Sequence, residues 1–114
     1  MEVDYKKKVI KLSPKRGKMF CDFCYSPEVK WAHEAKDFKF PGPLYVKSIG
    51  PWAACSACHS LIGNNRRAEL LDRSVEAHRK LYPEDEVNIS FIRGIMNISH
   101  AAFWQNRTGK YEKL

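Results

Sequence analysis

The most legible chemistry in this 114-residue sequence lies in four cysteines: Cys21, Cys24, Cys55 and Cys58. They form Cys-Asp-Phe-Cys and Cys-Ser-Ala-Cys, two pairs separated by thirty residues. A C-x-x-C turn points two sulfurs at one spot, and two such turns complete a tetrahedron around Zn²⁺. The spacing predicts one structural zinc ion per chain, held by all four thiolates. Three other chemistries use the same residues. A thioredoxin-like redox pair needs a βαβ setting and only one C-x-x-C. Cys55-Ser-Ala-Cys58-His59 also reads as a c-type haem attachment, which would leave Cys21 and Cys24 without a role. An iron–sulfur cluster accepts four cysteines too.

Histidines are the next candidates: His33, His59, His78 and His100. His59 follows Cys58 directly, so a Cys₃His site is conceivable. Adjacent donors reach one ion only with strain, which favours Cys₄. His78 falls on the apolar stripe of a helix and His100 lies near Trp104, both as structural histidines. There is no nucleophile elbow, phosphate-binding glycine loop or H-E-x-x-H. Glu28, Glu34 and Asp37 form no evident acid–base pair. The sequence therefore predicts a non-enzymatic protein without a small-molecule substrate.

Net charge is +7, and it is uneven. Residues 1–20 contribute +5 through Lys6, Lys7, Lys8, Lys11, Lys15, Arg16 and Lys18, against Glu2 and Asp4. The other 94 residues contribute +2, and a zinc ion on four thiolates would bring the whole to +5. A basic arm suits a polyanion or an acidic partner surface. Arg66 and Arg67 add charge near the second cysteine pair. Lys30, Lys36 and Lys39 interleave with Trp31, Phe38 and Phe40, a mixture that suits phosphate and bases. The same rings also serve as the core face of a hairpin, with the lysines on its wet face.

These groups need elements to position them. Residues 1–18 read as a basic N-terminal arm, with a short strand at Val9, Ile10 and Leu12 ended by Pro14 and Gly17. Residues 29–40 read as extended, with a phase slip between Trp31 and Phe38 that marks a bulge or two short strands. Pro41-Gly42-Pro43 breaks them, and Leu44-Tyr45-Val46 is a return strand. A short helix opens at Cys58 and stops at Gly63-Asn64-Asn65. Leu71, Val75, His78 and Leu81 space a helix over 66–82, ended by Pro83. A second helix spans 90–106, with Asn88 or Ser90 as its cap. Its apolar face is broad, and Phe91, Ile95 and Trp104 are candidates to meet a partner or a second copy. Residues 107–114 read as a polar tail.

The predicted architecture is therefore α+β and a single domain, residues 19–114. A small treble-clef or zinc-ribbon lobe over 19–62, a β-hairpin plus a short helix, packs with a two-helix hairpin over 66–106. No run of eighteen apolar residues suggests a membrane span, and no secretory h-region follows the N-terminal methionine. The expected setting is cytoplasmic, where reduced thiols favour metal over disulfides.

The cysteine pattern resembles treble-clef and zinc-ribbon proteins over residues 19–62, a fold likeness shared by many functions. CDFC…W…F…P…WAACSACHSLI followed by LLDRSV resembles small uncharacterised proteins of actinobacteria and their phages over most of the chain, which implies a fold but no activity. Cys55-Ser-Ala-Cys58-His59 also resembles the end of the HNH endonuclease motif. That likeness implies a metal-binding role for His59 and a general-base role for His33. The sequence departs from the motif in three places. His33 lacks a preceding aspartate, no asparagine lies between Cys24 and Cys55, and Ile62 stands where the lysine falls.

The sequence thus points to a small zinc-binding protein that binds nucleic acid, or regulates, through Lys6, Lys7, Lys8, Lys15, Arg16, Lys18, Arg66 and Arg67. A protein–protein adaptor or homodimer built on the last helix is the alternative. A degenerate HNH-type nuclease is the third.

Overall fold

The computed structural model describes residues 19–40 and 47–114. The arm, including Lys6, Lys7, Lys8, Lys15, Arg16 and Lys18, lies outside the described residues, as does the return strand expected at 44–46. The remaining elements run β1 (Val29–Ala35), β2 (Phe38–Lys39), β3 (Lys47–Ser48), β4 (Trp52–Cys55), α1 (Ser56–Gly63), α2 (Arg67–Leu81), a 3₁₀ turn (Pro83–Asn88), α3 (Ile89–Asn106) and β5 (Arg107–Lys113). The fold is α+β, as expected. A cysteine knuckle, a strand pair and a second knuckle that opens a helix make up its smaller lobe.

β1 is the centre of a three-stranded antiparallel sheet, ordered β4-β1-β5. The phase slip read between Trp31 and Phe38 is real. It separates β1 from β2, and β2 pairs with β3 as a separate two-stranded ribbon. On one side of the sheet β1 pairs β4, with Val29 opposite Cys55 and His33 opposite Trp52. On the other side it pairs β5, with Trp31 opposite Lys113 and His33 opposite Tyr111. Residues 107–113 are thus a strand and not the tail that their polarity suggested. An edge strand needs only one buried neighbour, so its composition stays polar and hides it from hydrophobic patterning.

α2 and α3 form the expected antiparallel hairpin. One ion pair crosses it, Arg93 with Asp72 at 2.6 Å, and Arg79 of α2 meets Glu86 of the 3₁₀ turn at 3.2 Å. The side-chain cap expected at Asn88 or Ser90 is not made by Asn88, the residue at the N-cap of α3. The 3₁₀ turn over Pro83–Asn88 runs directly into the helix and supplies the carbonyls instead, Ile89 N–H donating to Glu86 O.

One aromatic cluster joins the helical hairpin to the lobe. Phe23, Trp52 and Phe103 lie 5.0 to 5.4 Å apart between ring centroids. Phe23 and Phe103 are fully buried, together with Ile62 from α1 and Leu70 from α2. The core therefore contains at least one residue from the first knuckle, β4 and each helix. Phe38 and Phe40 pack on its edge, which fits the core-face reading of these rings.

Candidate metal centre

Each cysteine pair is shaped by its local backbone. In the first, Tyr25 N–H donates to Cys21 O at 3.0 Å, closing the turn, and Tyr25 itself takes φ of 64°. That left-handed conformation is uncommon for a bulky residue and folds the chain sharply after Cys24. Asp22 fixes this knuckle to β4: its N–H donates to Ala53 O at 2.9 Å, and its carboxylate accepts from Ala53 N–H at 2.6 Å. In the second pair, Cys55 ends β4 and is also the N-cap of α1. Its sulfur accepts from Cys58 N–H at 3.4 Å. The sulfurs thus meet the positive end of a helix, which favours thiolates.

The two knuckles converge. All four sulfurs lie within 4.8 Å of one another, and all four cysteines are buried. Cys24 and Cys55 are 3.6 Å apart. Tetrahedral coordination at about 2.3 Å per Zn–S bond sets sulfurs about 3.8 Å apart, so the spacing suits a single ion. This is a small α+β protein whose four cysteines are placed to hold one metal ion. The donor chemistry fits as well. The Cys58 thiol donates to Cys21 and pulls the Cys21 thiol down to about 5. The same bond pushes Cys58 upward, and burial pushes Cys24 upward. Without a cation the pocket therefore favours a thiolate at Cys21 and disfavours one at Cys24 and Cys58.

A positive charge, Arg73 of α2, faces the sulfurs. Its Nη2 donates to Cys55 Sγ at 3.9 Å. Burial opposes its charge, but the hydrogen bonds to Cys58 and Cys55 outweigh burial and hold the guanidinium firmly charged. Sequence reading missed Arg73. It stands among the charged residues of α2, and no local pattern marks it as facing the sulfurs.

His59 stays out of the cluster. Its ring stacks on Trp31 with centroids 3.9 Å apart and planes 6° from parallel. The same turn of α1 therefore sends Cys58 inward and His59 to the sheet face. On that face His59 meets His33, with His59 Nδ1 at 2.9 Å from His33 Nε2. His33 is buried, and burial with the nearby His59 and Arg107 charges lowers its pKa to about 4. The two other histidines are structural, as expected. His78 bonds Asp85 at 2.9 Å, and buried His100 bonds Ser74 at 3.2 Å.

The basic and apolar candidates divide. Arg66 is ion-paired with Glu69, so its charge is partly neutralised. Arg67 lies over the Trp104 ring at 4.7 Å, and Arg107 lies on the same ring at 5.2 Å. Trp104 is only 7% exposed, which removes it from the partner-facing set: it is a core residue that carries two guanidinium groups. Phe91 and Ile95 do face solvent, 71% and 51% exposed, in line with Val87 and Ile98. Among the described residues, no helix is long and apolar enough to cross a membrane.

No protein-family model matches this chain, and neither a curated protein nor a solved structure matches it. The functional reading rests on the geometry.

Proposed function

We propose that the protein is a zinc-stabilised, non-enzymatic nucleic-acid-binding module. The ion is Zn²⁺: four thiolates at single-ion spacing, closed off from solvent, form the donor set of structural zinc. It supplies rigidity to a chain too short for a large core.

The observation that carries the binding reading is the row of side chains on one sheet face. Trp31, His33 and Ala35 of β1 stand opposite Lys113, Tyr111 and Arg107 of β5. Cross-strand partners share a face. Lys113 lies 6.0 Å above the Trp31 ring, Tyr111 is exposed, and Arg107 sits beside Arg67 on Trp104. Tyr111 offers an open ring and Lys113 a cation beside it, a pairing that suits a single strand, with charge holding phosphate and the ring stacking a base. The positive charge of residues 1–18, read from the sequence, favours the same kind of polyanion. Contacts to base edges are few in such an arrangement, so sequence preference is weak.

Fluorescence polarisation with random single-stranded DNA and RNA across a salt series tests the reading. Binding that weakens steeply with salt and drops in a Lys113→Glu, Tyr111→Ala variant supports it. Failure to bind at low salt rejects it.

A second reading is favoured by one feature, the solvent-facing stripe Val87, Phe91, Ile95 and Ile98. In that reading the protein acts as an adaptor or homodimer through α3.

A further inference from the structure

We infer that Cys24 is a site of thiol–disulfide exchange, modified by a small anionic disulfide and resolved by Cys55. The inference rests on the zinc reading of the cysteine cluster and is independent of nucleic-acid binding. Burial of the four cysteines is uneven. Cys24 is 8% exposed, and the other three are 4% exposed or less. Cys24 is also the one cysteine that lines an open groove of about 550 Å³, a size within the range of small-ligand clefts. Ser26 borders the groove on one side, where its carbonyl accepts from Cys21 N–H at 2.8 Å and closes the first knuckle. Asp72, Arg73, Glu76 and Lys80 of α2 border it on the other. Arg73 ties the groove to the sulfurs: its Nη2 is 3.9 Å from Cys55 Sγ, which is itself 3.6 Å from Cys24 Sγ.

The charges of the groove select the reagent. Its two carboxylates already have partners: Asp72 pairs with Arg93 at 2.6 Å, and Glu76 with Arg79 at 3.8 Å. Lys80 meets no carboxylate among the described residues. Lys80 and Arg73 thus face an incoming molecule as cations, and they favour a disulfide that carries carboxylates.

The exchange takes two displacements. The Cys24 thiolate attacks one sulfur of the reagent, R–S–S–R; a Cys24–S–R bond forms and one RS⁻ leaves. Cys55 Sγ, already beside Cys24 Sγ, is within reach of the second step. Its thiolate, favoured by the Arg73 guanidinium, attacks the Cys24 sulfur. The Cys24–Cys55 disulfide forms and the second RS⁻ leaves. Two protein thiolates are oxidised, and the reagent is reduced to two thiolates. A metal ion held by the cluster thereby loses two of its four donors and is released.

The test uses full-length protein whose zinc content is measured beforehand, which checks the zinc reading by itself. Glutathione disulfide is then added at low salt. Peptide mapping by mass spectrometry reads the modified cysteines over time, and a chromogenic chelator reads the metal released beyond a sample without disulfide. Expected is a glutathione adduct first at Cys24, then a Cys24–Cys55 disulfide, with zinc released in step. Lys80→Glu changes an exposed side chain that holds neither sulfur nor core. It should slow the reaction several-fold with glutathione disulfide and leave the rate with uncharged hydroxyethyl disulfide as in wild type. First modification at any other cysteine overturns the inference, as does an unmodified Cys24. It is equally overturned if Lys80→Glu reacts with glutathione disulfide as fast as wild type.

Discussion

Phe103, near the end of the last helix, meets Phe23 edge to face at 5.1 Å and 74°. Phe23 stands between the first two cysteines. The metal knuckle and the helical hairpin thus share one buried contact, and neither packs without the other. Phe103→Ala should cost about 3–5 kcal/mol, measured by chemical denaturation. It should also speed metal loss to a chelator, because the knuckle loses its backing.

Removing a ligand should have a larger effect. Cys58→Ala leaves three sulfurs and breaks the hydrogen bond that holds Cys21 as a thiolate. Metal binding in small domains of this kind supplies on the order of 10 kcal/mol. The variant, or wild type treated with a strong chelator, should lose near-UV circular dichroism and cooperative unfolding. Retained stoichiometric zinc and thermal stability in Cys58→Ala would count against the four-cysteine centre.

Arg73 should govern how firmly the metal is held. Arg73→Met keeps much of the stem and removes the guanidinium from Cys55. The thiolates then lose the positive charge of that guanidinium, so zinc transfer to a chromogenic chelator should be several-fold faster. Arg73→Lys should restore only part of the wild-type rate, because an ammonium lacks the planar fork.

His100 gives a pH dependence with a definite sign. Ser74 Oγ donates to Leu70 O at 3.1 Å, so its oxygen accepts from His100 Nε2–H at 3.2 Å. The proton is thereby placed on Nε2, and Nδ1 is buried without a partner. Burial lowers the pKa of His100 to about 4, from 6.5. The folded state therefore favours the neutral ring. Its stabilising share is complete above pH 6.5 and is lost as pH falls toward 4, on the order of 2–3 kcal/mol. In His100→Gln that part of the acid destabilisation should vanish, leaving a flatter difference curve in urea titrations at pH 4 to 7.

The exposed stripe of α3 yields a prediction without a stability cost. Phe91→Ser and Ile95→Ser should change unfolding free energy by no more than about 0.5 kcal/mol, since both side chains face water. If the stripe is an interface, sedimentation should show wild-type self-association that both variants lose.

Much of the metal centre was legible because C-x-x-C spacing is local: two short turns dictate where their sulfurs point. The helices were legible for a similar reason, since the apolar repeat of 66–82 and 90–106 reflects faces that meet the core. What escaped depends on contacts distant in sequence. Arg73 reaches Cys55 from another element, and β5 is recognisable only by its partner β1. Trp104 misled because a large aromatic on an apolar helix reads alike whether it points to solvent or to Phe103. The His33–His59 pair was visible as two histidines, yet only the strand register and the turn of α1 bring them together.

The placement of β5 also sets an order of assembly. β1 lies between a neighbour that ends at Cys55 and another that ends at Lys113, so its two sides are satisfied at very different moments of synthesis. Once residue 58 has left the ribosome, both knuckles exist and can close on an ion. The second edge of β1 stays open until Lys113 emerges, and pairing over that distance is entropically slow. Until then one edge of β1, along Trp31 and His33, is an open sheet edge, the kind of surface on which nascent chains aggregate.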